Sequence, residues 1–76
     1  MTFNDNLKEL IKILDIENKK TMDISLNRVI EILNSIDNLS DLKREKELII
    51  KIVIDSVENM ETGNLILTFI DNYTKR

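Results

Sequence analysis

The sequence contains no cysteine, histidine, proline, tryptophan or alanine, and its 76 residues include a single glycine. Without cysteine the chain forms no disulfide bond, and without cysteine and histidine it lacks the common protein ligands of zinc. For the same reason the chain has no thiol nucleophile, no imidazole to activate a nucleophile and no ordinary general base near neutral pH. We therefore expect no enzymatic activity, with no catalytic residue, no metal and no cofactor.

The apolar side chains that are present are large. Isoleucine contributes 13 residues and leucine 10, whereas valine contributes 3. Such side chains predict helices at the wide end of the usual ~8–10 Å spacing, without close crossings at small residues. Because a chain of 76 residues is short even for one domain, we expect a single helical domain over 1–76.

Charge is mixed and weakly acidic, with 11 basic and 14 acidic residues. The two signs alternate along the chain, which disfavours a nucleic-acid partner because phosphate-binding surfaces cluster lysine and arginine. The longest apolar run, Leu48–Ile54, is interrupted by Lys51 and is far shorter than the ~20 residues of a transmembrane helix. The first residues show no secretory pattern, so we expect a cytoplasmic protein without a transmembrane segment.

The spacing of the apolar residues predicts an all-α bundle of four short helices. Their expected ranges are about 3–18, 23–36, 41–61 and 65–74. Thr2, followed three residues later by Asp5, predicts the cap of the first helix. Thr21 or Asp23 is expected to cap the second helix, and Ser40 the third.

Gly63 marks the expected boundary between the third and fourth helices. A helix continued through this glycine would place later apolar residues such as Ile66 at roughly 180–280° from the earlier apolar stripe. The pattern therefore predicts that Gly63 ends the third helix and that Asn64 caps the fourth. For Leu48–Ile54 the β-branched side chains also permit a strand, but the flanking sequence has no turn signal, which favours a helix.

The third helix is apolar over a wide arc, from Leu48 on one side to Ile54 on the other. This arc exceeds the ~100° stripe of a helix that packs on one side. Either the other three helices surround it within one chain, or part of it meets a second copy. We prefer the second interpretation and expect a homodimer through the third helix.

Six residues lie off the main apolar stripes or near the end of the chain, and we take them as candidate contacts with a partner protein. Isolated exposed apolar residues are common, whereas a contiguous patch usually marks a binding surface. The candidates are Ile16, Ile24, Ile50, Ile54, Leu67 and Tyr73.

Two other functions have weaker support in the sequence. Asp55, Glu58 and Glu61 recur every three residues, as in acidic metal sites, but no second acidic pair faces them. The second and third helices have the layout of a helix-turn-helix, yet Lys43 and Arg44 are offset by neighbouring carboxylates.

The layout of four short helices in a small acidic chain is similar to that of bacteriocin immunity proteins, and of many phage and plasmid regulators. Isoleucine, lysine and asparagine make up 30 of the 76 residues, a bias typical of low-GC bacteria and their mobile elements. We therefore predict a non-enzymatic inhibitor or adaptor that occludes or sequesters another protein. An immunity-type protein and a small DNA-binding regulator are the alternatives.

Overall fold

The computed structural model describes residues 2–74, which form four α-helices and no strand. The helices are α1 (Phe3–Thr21), α2 (Ile24–Asn34), α3 (Leu39–Ser56) and α4 (Met60–Thr74). The predicted all-α bundle is confirmed, and Leu48–Ile54 lies inside α3 as expected. Within residues 2–74, no helix combines the length and the apolar content that crossing a bilayer requires.

Helix α1 begins at the predicted cap. The Asp5 N–H donates to the Thr2 hydroxyl over 3.1 Å, and the Thr2 N–H donates to the Asp5 carboxylate over 3.4 Å. The helix continues three residues beyond its expected end, to Thr21, and closes on Met22 in the left-handed conformation with φ 54°. Both ends therefore satisfy backbone groups that the helix itself leaves unpaired.

Asp23, one of the two caps expected for α2, caps the helix and also joins two connections of the bundle. One of its carboxylate oxygens accepts the N–H groups of Ser25 and Leu26 at 2.9 and 3.2 Å. The other accepts the N–H of Glu58, in the α3–α4 connection, at 3.1 Å. The α1–α2 and α3–α4 connections therefore lie at the same end of the bundle.

The α2–α3 connection differs from the prediction at both sides. Helix α2 ends at Asn34, two residues early, although Ile36 beyond it is still buried. Ser40 lies within α3 and does not cap it, because the Asn38 side chain accepts the Asp41 N–H at 3.0 Å and starts the helix two residues sooner. Asparagine caps a helix as well as serine does.

Asp41 holds the same connection from inside the first turn of α3. Its carboxylate accepts the Asp37 N–H at 2.9 Å and pairs with the Arg44 guanidinium at 3.1 Å. The hydrogen bond from Asp37, with a smaller contribution from the positive charge of Arg44, lowers the pKa of the Asp41 carboxyl below its ordinary value of 3.8. The ionised form is therefore favoured by the fold.

The predicted role of Gly63 is wrong. Helix α3 ends at Ser56, Asn59 starts α4 by accepting the Thr62 N–H at 3.0 Å, and Gly63 lies buried inside α4. The shift of the apolar stripe does mark a boundary between two helices, but this boundary lies about six residues before Gly63. A Cβ at Gly63 would lie 3.2 Å from the Val53 side chain, so the glycine serves a close contact between α3 and α4. The expectation of no close crossing fails at this one position.

Each helix packs against the next in the chain, and α1 also contacts α4. Connections of two to four residues between them are typical of neighbouring helices in an up-and-down bundle. All four helices contribute to one core. Its most completely buried side chains are Leu14, Leu26, Val29, Leu33, Leu42, Ile49, Ile66 and Ile70.

Candidate functional site

The structure separates the six candidate partner contacts into two classes. Ile16, Ile24 and Ile54 are exposed, and Ile50, Leu67 and Tyr73 are half-buried against the core. Ile50 and Leu67 line the same shallow cavity of about 340 Å³ between α3 and α4. Tyr73 lines a different groove, between α1 and α4. The candidates are therefore distributed over more than one face of the bundle.

The most exposed large apolar side chains share one end of the bundle, which we call the exposed end. They are Met22, Ile24, Ile54 and Met60, with 80, 86, 68 and 79% of their surface exposed. Each lies within three residues of the α1–α2 or the α3–α4 connection. The hydrogen bond from Glu58 to Asp23 holds these connections together.

In the apolar pattern of the sequence, Met22 falls on the main stripe of the second helix and Met60 on that of the third, which predicts that both are buried. Met22 is outside α2, and Met60 is the first residue of α4 and not part of α3. Both errors come from misplaced helix ends, since a residue that flanks a connection does not follow the periodicity of a helix face. The Asp23 cap was the available signal, because it already excluded Met22 from α2.

A second apolar surface lies between α1 and α4, which contact each other less extensively than the other neighbouring helices. We call it the α1–α4 groove, and its volume is about 540 Å³. Its residues are Asn6, Glu9, Leu10, Ile13, Leu65, Thr68, Phe69, Asn72 and Tyr73. Of the candidates taken from the sequence, only Tyr73 belongs to it.

Three aromatic rings close the groove where the two ends of the described chain meet. Phe3 lies 5.0 Å from Tyr73, nearly edge to face, and 6.0 Å from Phe69. The rings of Phe69 and Tyr73 are 4.9 Å apart, and the Asn6 amide donates to the Tyr73 hydroxyl. Such ring pairs stabilise by about 0.5–1.5 kcal/mol beyond their buried area. The cluster therefore fastens the first turn of α1 to the last turns of α4.

Among residues 2–74 the charged side chains form no cluster suited to holding a metal ion. No three of their carboxylates converge as metal ligands would. Asp55 is the next-to-last residue of α3, Glu58 lies in the connection and Glu61 belongs to α4, so they do not share one helix face. The Arg44 guanidinium is already paired with Asp41 and with Glu45, at 3.1 and 3.5 Å.

The wide apolar arc of α3 is largely covered within one chain. Ile49, Ile52 and Val53 are buried in the core, while Leu48 and Ile54 remain 41 and 68% exposed. On the helical wheel the last two lie on opposite edges of the arc. A second copy would therefore meet one edge of α3 and not its centre.

These features define a small all-α protein, a four-helix bundle with an exposed apolar end and one apolar groove. Comparison with protein-family models, with curated proteins and with solved structures found no match.

Proposed function

We propose that the chain is a non-enzymatic protein-binding module that occludes or sequesters a partner, as an inhibitor or adaptor does. The exposed end supports the proposal. Its four large apolar side chains are between 68 and 86% exposed and lie near the two connections at this end, and exposed apolar surface favours the binding of another protein. Ile24 and Ile54, two of the candidates taken from the sequence, belong to it.

The distribution of charge favours a protein partner over a nucleic acid. Arg44, a cation near the start of α3, is paired with two carboxylates. Specific binding to DNA depends on cations that are free to neutralise phosphates. We also propose that the module is a cytoplasmic protein encoded by a phage or plasmid of a low-GC bacterium, in line with its composition.

The test compares wild-type protein with the Ile24→Ser/Ile54→Ser double variant, each immobilised and exposed to a lysate of its native host. Leu48→Ser is the matched control, because it removes an exposed apolar side chain elsewhere on α3. We expect wild type and control to retain the same partner, and the double variant to retain about tenfold less. Equal recovery by all three proteins, or no partner in any, would contradict the proposal. Circular dichroism verifies that the variants are folded.

We further propose that two copies associate along the Ile54 edge of α3. Light scattering should then give twice the chain mass for the wild type and a lower mass for Ile54→Lys, since a buried charge at such a contact is costly. A single-chain mass at high micromolar concentration would rule out this dimer, but it would leave the binding of another protein untouched.

A further inference from the structure

We infer that the α1–α4 groove binds an amphipathic helix of another protein, and that this helix carries lysine or arginine beside its apolar face. The groove is separate from the exposed end, so this inference goes beyond the proposed function and stands on its own observations.

The length of the groove fits two turns of a helix. Its walls run from Asn6 to Ile13 on α1 and from Leu65 to Tyr73 on α4. At 1.5 Å per residue these stretches are about 10–12 Å long. A bound helix presents its side chains i, i+4 and i+7 over the same distance. The volume of about 540 Å³ accommodates several large apolar side chains.

The chemistry of the walls favours an apolar face on the partner. Leu10 forms a buried floor, and Ile13 and Leu65 are 44 and 39% exposed on either side of it. Phe69 is half-buried and adds an aromatic surface. Covering these side chains removes apolar area from water, which stabilises a complex by about 25 cal/mol per Å².

The charge around the groove decides which helix fits. Glu9 is the only charged side chain among its lining residues in the described chain. One turn farther along, Glu61 precedes Leu65 on α4 and lies on the same face by helical spacing. Glu17 follows Ile13 on α1 by the same spacing, but it lines a different pocket with Asp23 and Glu58. Lys20, three residues beyond Glu17, is the one cation on this face of α1. The excess of carboxylates selects a cationic partner and disfavours an acidic one.

The probe is a fluorescent peptide of about 16 residues that presents leucines at i, i+4 and i+7 with lysines beside them. A second peptide has glutamate in place of each lysine, and a third spreads the same leucines around the helix. Fluorescence anisotropy measures the Kd of each peptide for the wild type. The variants are Ile13→Ser/Leu65→Ser and Glu9→Gln/Glu61→Gln, with Ile24→Ser as the matched control.

We expect the lysine peptide to bind at least about tenfold more tightly than the glutamate and scrambled peptides, because it alone matches both shape and charge. The Ile13→Ser/Leu65→Ser variant should raise its Kd about tenfold. The Glu9→Gln/Glu61→Gln variant should raise it about threefold and weaken its dependence on salt. Ile24→Ser should leave it unchanged.

Three results would overturn the inference. Equal affinity for the lysine and glutamate peptides would remove the charge preference. Loss of binding in Ile24→Ser, but not in Ile13→Ser/Leu65→Ser, would move the site to the exposed end and leave the proposed function intact. Absence of binding at about 1 mM peptide, a Kd too weak for a specific complex, would show that the groove does not take such a helix.

Discussion

Helix α4 meets its two neighbours in opposite ways. On the α3 side, Gly63 has no side chain and a Cβ there would lie 3.2 Å from Val53, so the two helices are in close contact at this position. We call the contact between α3 and α4 at Gly63 the closed seam, and the contact between α1 and α4 the open seam. On the α1 side, the rings of Phe69 and Tyr73 fill one end and leave a groove beyond them. One helix thus packs closely against one neighbour and forms a wall of the α1–α4 groove with the other. The size of the residues at each seam accounts for the difference.

A substitution in the closed seam should lower the free energy of unfolding more than one in the open seam. Gly63→Val places a branched side chain against Val53, and overpacking of this kind costs about 3 kcal/mol at the upper end of its usual range. Urea denaturation measures the loss in the free energy of unfolding. Gly63→Ala is the matched control. Its gain in helix propensity, about 1 kcal/mol, opposes the strain of the added methyl group, so we expect a much smaller change.

A double variant identifies the source of this cost. Val53→Ala in the Gly63→Val background should recover part of the lost stability, because it returns space to the same contact. If Gly63→Val unfolds at the wild-type urea concentration, the close approach of α3 and α4 does not depend on the glycine.

The open seam should tolerate more. Phe69→Ala removes a half-buried ring that contacts Phe3 and Tyr73. We expect a loss of about 1.5–2 kcal/mol, roughly half of the cost for a fully buried phenylalanine. Phe69→Leu keeps most of the apolar area and should lose less than about 1 kcal/mol. A loss in Phe69→Ala larger than that in Gly63→Val would reverse the ranking of the two seams.

Asp41 lies in neither seam and serves as a reference. Of the substitutions proposed here, we expect the one at Asp41 to change stability least. The fold lowers the pKa of this carboxyl, so it stabilises the protein above the unfolded-state value of 3.8 and loses this contribution as the pH falls through the folded-state value. Asp41→Asn should therefore lower the Tm at pH 7, and the difference from wild type should shrink at an acid pH well below 3.8.

The seam variants change apolar groups, so their effects should persist at both pH values. A Tm difference for Asp41→Asn that is the same at both pH values would show that the charge of Asp41 is not what stabilises the α2–α3 connection.

The helix caps show how much of the fold was predictable. As caps, Thr2 with Asp5, and Asp23, bind N–H groups within three residues of their own positions; the first was predicted, and Asp23 was one of the two caps expected for α2. Gly63 was predicted wrongly because its local preference for ending a helix gives way to a contact with Val53, which is distant in sequence. Ser40 was passed over for Asn38, an equally good cap two residues earlier.

The candidate surfaces were less predictable. Ile24 and Ile54 were identified as off-stripe residues, but Met22 and Met60 were not, because their exposure depends on where the neighbouring helices end. Ile13 and Leu65 were missed for another reason. Each lies near the main apolar stripe of its helix, and only the loose contact between α1 and α4 leaves them accessible.

The sequence by itself determined the class of fold, the number of helices and the absence of cysteine and histidine chemistry. These follow from composition, apolar periodicity and short-range hydrogen bonds, which act within one or two helical turns. Only the tertiary structure decided which apolar side chains stay exposed, where the groove lies and why the single glycine is needed. Those properties depend on the fit between helices, where a glycine allows close approach and three aromatic rings occupy one end of a seam.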